Sequence, residues 1–595
     1  MEGLVTKLAL AIVCSLFAAC GPRVTVTGDA GGDGGGSDGT TDVPHTLSSI
    51  EVTPTNASIE LDLNMPGSQT FVALGRFQDG NDMDISAAVS WSVSNPAVGT
   101  MTGPTLAIPG FGAVTVEVSR IRAELDGITG EAQITVVAYR RSGSSQDFFF
   151  VLPYMDPAGQ VAKPLDFGTT VPSLDVFFLM DTTGSMIGEI TTLQNALTSV
   201  VVPGIQAAVP NTQFGAGSFE DFPVSPYGAL QGAECNQNNN QNPDQPLHLF
   251  QTITNNIAAV QAAVGQYSTG LAPNVAPIGC GADWPEAGIE GLYQVATGAG
   301  LTGPAPTSVP ANTSGIGGVG YRAGTMPVVV TVTDAMMHGP GESGTCAVSG
   351  FPTQVANYTG AVAAVAHSRA QTKTALANIC ARSVGIASFQ SGLPANCSGQ
   401  ADLEDFATAT GARVPPAAWD IAARPAGCAA NQCCTNTNGT GRAPDAQGLC
   451  PLVFLTDAAG NGLGSNIVTG IRMLTRFALF DVTSERQGVT TDIAGVPLPT
   501  PRTTADFIKQ VIPTGFMVPA APPVVPNPTF DMTTFFGVTP GTRVQFDVKA
   551  LNDFVPQTAN AQVFRATIRV LAGGCTALDQ REVLILVPPN PIVIN

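Results

Sequence analysis

Apolar runs and their spacing divide this chain before any chemistry does. Val176 to Met180 is an unbroken apolar run of strand length, and Val328 to Val332 (VVVTV) is nearly so. Such runs mark strands covered on both faces. After Met180 the period changes. Apolar residues at Ile187, Ile190, Leu193, Leu197 and Val200 predict a helix. Thr212 to Phe219, Val384 to Phe389 and Leu452 to Leu455 predict further strands, with helices between them that include Glu286 to Ala296 and Ala361 to Leu376. A last helix is expected from Ser465 as N-cap, with Ile467, Ile471 and Leu474 on one face. Residues 171–490 therefore alternate strand and helix, the pattern of an α/β doubly wound sheet.

On both sides of that region the period is two. Ile50-Glu51-Val52, Phe71 to Leu74, Val89 to Val93 and Ala132 to Val137 read as short strands separated by turns at Asp79-Gly80 and Asn95-Pro96. Residues 48–140 are thus expected to form an all-β domain, with Trp91 in its core. Val544, Phe546 and Val548 alternate, as do Ala566, Ile568 and Val570, so residues 500–595 predict a second β-sandwich. Residues 141–170 are a connector with strand-like pieces, and Phe148 to Phe167 is expected to join the C-terminal sandwich as one composite domain.

Composition narrows the class. The chain has 595 residues, enough for roughly three to four domains. Charged residues are 12% and the net charge is −20, which argues against nucleic acid and favours divalent cations as partners. Residues 1–20 read as a signal peptide, with Lys7 before the apolar run Leu8 to Phe17. Leu16-Phe17-Ala18-Ala19-Cys20 resembles a bacterial lipobox. It implies a lipid on Cys20, membrane attachment through it, and an outer-membrane or cell-surface address. Residues 21–47 are a Gly/Asp-rich tether. Ten cysteines follow Cys20, from Cys235 to Cys575; the even number fits disulfides in an oxidising compartment. A zinc site lacks support, since no Cys-x-x-Cys occurs and the four His are scattered.

The candidate chemistry sits where the first buried strand meets its helix. In LDVFFLMDTTGSM, Asp181, Thr183 and Ser185 place three oxygen-bearing side chains at the carboxyl end of a strand, where open α/β sheets bind ligands. Two hydroxyls and one carboxylate suit a hard cation such as Mg²⁺. This D-x-[ST]-x-S pattern resembles the metal-ion-dependent adhesion site of von Willebrand factor A (VWA) domains. Three more stretches resemble the A-like domain of integrin β subunits: FGAGSFEDFPVSPYG (Phe214 to Gly228), GADWPEAGIEGLYQ (Gly281 to Gln294) and GYRAGTMPVVVTVTDAMMH (Gly320 to His338). Likewise IEVTPTNASIEL, FQDGND and VSWSVSNPAV resemble bacterial Ig-like domains of the invasin and intimin type.

The integrin-like resemblance implies that Asp181, Thr183, Ser185, Glu286 and Asp334 hold Mg²⁺ or Mn²⁺. It implies a second cation, Ca²⁺, on Asp221, Asp283, Glu286 and the Pro285 carbonyl, although Gly281 stands where the family has an Asn ligand. A third site would need two acidic residues where this chain has Gly188 and Glu189. The partner implied is a protein presenting a carboxylate, bound without catalysis. Two other readings stay open: a structural envelope protein with a metal-free scaffold, and an exported hydrolase, for which no base–nucleophile pair is visible. Gly315 to Gly320 spells G-x-G-x-x-G but precedes a strand, so it fails the dinucleotide context. Leu452 to Asp457 mimics a metal-bearing strand end but is the last strand in order.

Overall fold

A computed structural model describes residues 46–141, 147–230, 243–268, 277–347, 352–421, 424–520 and 525–590. The signal peptide, Cys20, Cys235 and nearly all of the Gly/Asp-rich tether lie outside the described residues. The chain divides into two compact units. One runs to Gln146 and takes in residues 558–561 and 588–595; the other comprises residues 147–557 and 562–587.

Among its described residues the first unit is all β. Leu47–Thr53 pairs antiparallel with Val72–Phe77. Ile128–Tyr139 lies between Asn56–Asp62, to which it is parallel, and Thr115–Leu125, to which it is antiparallel. The period-two pattern sends Val52, Ala73, Ile121, Ala123, Ile134 and Val136 into one core. Trp91 packs against that core half-buried, and its indole Nε1 donates to the Ser86 carbonyl at 2.9 Å.

The second unit is built on a six-stranded sheet. Its strands in chain order are β1 (Ser173–Asp181), β2 (Asn211–Phe219), β3 (His248–Thr254), β4 (Met326–Thr333), β5 (Arg382–Phe389) and β6 (Val453–Asp457). In space the order is β3-β2-β1-β4-β5-β6, stepping outward from β1 in both directions. All neighbours are parallel except β2 and β3. Every residue of β4 and all but the first of β1 are buried, as the apolar runs require. The principal helices are α1 (Ile187–Ala196), α2 (Ile257–Gly265), α3 (Gly288–Thr297), α4 (Arg369–Asn378), α5 (Gln400–Ala409) and α6 (Leu463–Phe477). They pack in two groups: α1, α2 and α6 touch in series, and so do α3, α4 and α5. At the amino end of β1, Asp175 is fully buried and accepts Arg322 Nε at 2.7 Å and Thr325 Oγ1 at 2.9 Å. The Gly-Tyr-Arg segment therefore ties β1 to the entry of β4.

Two local expectations are corrected. The N-cap of α6 is Gly462, in the left-handed conformation, and Ser465 instead donates its hydroxyl to the Gly462 carbonyl inside the first turn. The helix expected over 361–376 is broken: a short turn Gly360–Ala363 ends, and α4 restarts at a capping box formed by Ser368 and Gln371.

Residues before and after the central sheet share two further sheets. Phe148–Val151 pairs in parallel with Thr576–Val587, and Val161–Gly168 pairs antiparallel with Arg543–Ala550. α6 ends at Phe477 and the chain enters the larger of these sheets at Phe480–Gly488, so the last helix feeds directly into it. The Cys380–Cys575 disulfide and the Ala577 N–H to Gly324 carbonyl bond also join sheet and sandwich. Cys346–Cys397, Cys428–Cys434 and Cys433–Cys450 are disulfides too, and Cys280 is disulfide-bonded. Among the described residues no helix is long and apolar enough to cross a membrane.

Candidate metal centre

Three loops meet at the carboxyl end of β1. The first leaves β1 at Asp181 and turns through Gly184–Met186 into α1. Asp181 Oδ1 accepts the Thr183 N–H at 3.0 Å and the Thr183 hydroxyl at 2.7 Å, which folds the turn back on the strand end. The second loop is Gly279 to Ala287. It is fastened to the first by the Gly184 N–H to Cys280 carbonyl bond at 3.3 Å and the Gly279 N–H to Thr182 carbonyl bond at 3.0 Å. The third follows β4. Thr333 Oγ1 donates to Asp181 Oδ2 at 2.7 Å, and Ser185 Oγ donates to Asp334 Oδ1 at 3.2 Å. Gln390, just past β5, donates to Asp334 Oδ2 at 2.8 Å.

The five residues Asp181, Thr183, Ser185, Glu286 and Asp334 are thus brought to one place. Glu286 is clamped through its backbone, donating to the Met336 carbonyl and accepting from the His338 N–H at 2.7 Å. Its side chain is buried, and its Oε2 has no hydrogen-bond partner. A β-carbon at Gly281 would stand 2.6 Å from Glu286 Oε1 and 3.3 Å from Thr183 Cγ2, which places the carboxylate beside the Thr183 side chain. A buried, unpartnered carboxylate oxygen costs free energy unless something positive meets it. Burial, and then the Asp334 charge, pushes the Asp181 carboxyl up to about 7. Burial and then the charges of Asp181, Asp221, Asp283 and Asp244 hold Glu286 well above the usual carboxylate range; burial raises Asp334 as well. Three acids crowded with hydroxyl oxygens form an oxygen-donor set of the kind hard cations take, so the residues present fit a Mg²⁺-class ion.

The residues expected to hold a second cation are also close together, but differently filled. Asp221 Oδ1 accepts Tyr358 OH at 2.5 Å and the Phe222 N–H at 2.6 Å, while Asp221 Oδ2 lies 2.6 Å from His338 Nδ1. His338 Nε2 is 3.0 Å from the Val355 carbonyl and 3.5 Å from Asp283 Oδ2. Asp221, Asp283 and His338 offer atoms that all lie within 4.8 Å of one another. Pro285 is buried in the same loop. Burial alone lowers the His338 pKa, but the Asp221 and Asp283 charges outweigh it and the net shift is upward. No sequence signal singled out His338, Tyr358, Thr333 or Gln390. Thr333 is the last residue of β4 and Gln390 the first after β5.

Two other acidic features flank the centre. Asp244 accepts the Ala229, Cys280 and Gly281 N–H groups, at 2.7, 2.9 and 3.1 Å, and so pins the second loop. Neighbouring Glu220 bonds Thr182 and the His248 ring, the latter at 2.9 Å. On α1, Gly188 is required because a β-carbon would strike the Ala458 carbonyl at 2.1 Å, and Glu189 turns inward onto Ser388. The pair expected for a third site is therefore absent as a pair. A cleft of about 530 Å³ along β3, lined by Gln245, His248, Phe250, Gln294 and Asn312 among others, contains none of the five residues.

Comparison with known proteins points to the same stretch. Residues 169–303 match the family model of the integrin beta chain VWA domain. This is under a quarter of the chain; it takes in Asp181, Thr183, Ser185, Asp221, Asp283 and Glu286 but ends before Asp334 and His338. The match supports a VWA-like domain here. Ice-binding protein 1 of Shewanella frigidimarina is 37% identical over 95 residues, which is 16% of this chain and 10% of that protein. Two crystal structures of the pilus adhesin SpaC from Lactobacillus rhamnosus GG align over 89% of this chain at 12% identity, with TM-scores of 0.26 and 0.27. The chain spans about a tenth of the length of the ice-binding protein and just over half of SpaC.

Proposed function

We propose that residues 171–490 form a doubly wound, VWA-type domain that holds one divalent cation, Mg²⁺ or Mn²⁺, on Asp181, Thr183, Ser185, Glu286 and Asp334. The bound ion would supply an open, positively charged coordination position for an acidic side chain of a protein partner. The chain's own residues do the rest. Thr333 and Gln390 orient the two aspartates, Asp244 fixes the Cys280–Gly281 backbone, and Glu286 is set in place by its backbone bonds to Met336 and His338. No covalent step is required, and the activity is binding.

The observation that carries this reading is the buried Glu286 carboxylate, its Oε2 unpartnered, beside Thr183 and within the field of Asp181. The β domains before and after residues 171–490 would serve as spacer and base, and a lipid on Cys20 would tether the exported protein to the outer membrane or cell surface. Titration calorimetry of the full chain tests it. Mg²⁺ or Mn²⁺ is expected to bind saturably, and Asp181→Ala to abolish that heat. Binding unchanged by Asp181→Ala would overturn the assignment and favour a metal-free scaffold.

A further inference from the structure

We propose that the imidazole of His338 takes the place of the second cation, so that this loop cluster holds one divalent ion and not two. This rests on the cation reading of the Asp181 cluster. Four observations carry it. First, the ring lies between the two carboxylates that a second ion would bridge, Asp221 at 2.6 Å and Asp283 at 3.5 Å. The 2.6 Å separation is a short hydrogen-bond distance, so Nδ1 and Asp221 Oδ2 already satisfy each other. Second, Asp221 and His338 are already committed, which leaves Asp283 Oδ1 as the one buried oxygen of the three residues without a partner. Asp221 uses both oxygens on Tyr358, Phe222 and His338, and His338 Nε2 faces the Val355 carbonyl, which can only accept. Third, the ring is fully buried and held on two sides, edge-on to Tyr227 at 5.1 Å and tilted against Tyr358 at 4.5 Å, so it cannot swing aside without repacking. Fourth, the position where the family places an asparagine ligand is Gly281. Its φ of +64° and the 2.6 Å approach to Glu286 Oε1 mean that a side chain there would have to displace the Glu286 carboxylate.

The consequence is a cluster with one exchangeable ion and one permanent organic bridge. In a two-ion cluster the geometry around Glu286 would loosen whenever the second ion left. Here the bridge is part of the chain, and through the His338 N–H to Glu286 carbonyl bond it holds the ligand loop at any calcium concentration.

Native mass spectrometry of the full chain, counting Mg²⁺, Mn²⁺ and Ca²⁺ per molecule, tests this. The expected result is one ion for the parent chain, none for Asp181→Ala, and still one for Asp283→Asn, whose partly exposed side chain can change without disturbing the core. His338→Ala is expected to admit a second ion, one that Asp283→Asn then removes. Two ions in the parent chain, with one lost on Asp283→Asn, would overturn the inference while leaving the Asp181 reading intact. No ion in the parent chain but one in His338→Ala that survives Asp181→Ala would support the inference and overturn the Asp181 reading. No ion in either chain would overturn both.

Discussion

Two groups of acids lie side by side under the same loops, and they have solved the problem of buried negative charge in opposite ways. Around Asp181 the carboxylates receive hydroxyl and amide donors from Thr183, Ser185, Thr333 and Gln390, yet Glu286 Oε2 is left over. Around Asp221 the chain supplies its own bridge, His338, and a phenol from Tyr358. Each group keeps one buried oxygen without a partner, Glu286 Oε2 in the first and Asp283 Oδ1 in the second, but only the second has a histidine ring set between its acids. Burial alone therefore does not mark a metal site. What matters is whether the protein has already answered the charge.

The comparison can be broken most forcefully at Glu286. Glu286→Gln removes a ligand charge but keeps the shape, and a loss of more than about 100-fold in Mg²⁺ affinity by calorimetry is expected, since even outer-shell partners cost about 10–100-fold. Next come those outer partners. Thr333→Val and Gln390→Ala remove single donors to Asp181 and Asp334, and affinity losses within roughly that 10–100-fold range are expected, with the fold unchanged by circular dichroism. On the other side, Tyr358→Phe strips one donor from Asp221 and is expected to cost about 1–3 kcal/mol in denaturant unfolding while leaving Mg²⁺ affinity alone. An affinity loss from Tyr358→Phe would erase the distinction between the clusters. The smallest effect concerns pH. The folded Asp181 pKa, about 7, lies above its ordinary 3.8, so cation-free protein holds that proton more tightly than the unfolded chain does. Its contribution to stability is present at low pH and lost as pH rises through about 7. Thermal unfolding in chelator is expected to show that decline, and saturating Mg²⁺ to reduce it.

Much of this was legible in the chain, for reasons that differ by element. β1, β4 and β5 announce themselves because a strand buried on both faces must be apolar throughout. Asp181, Thr183 and Ser185 are legible because the alternate spacing falls at a strand end. β3 was not seen: every one of its residues is only half-buried, so its pattern is weak. The break before α4 is local chemistry, a serine and a glutamine closing a capping box inside an otherwise helical run. His338 was invisible for a deeper reason. One histidine after a buried strand carries no periodic signal, and only the folded positions of Asp221, Asp283 and Val355 give it a role.

The sharpest single test is anomalous scattering from Mn²⁺-soaked crystals. The account requires one Mn²⁺ peak, within bonding distance of Glu286 and the Asp181 loop, and no peak between Asp221 and Asp283. A peak beside His338, or none near Glu286, would contradict it.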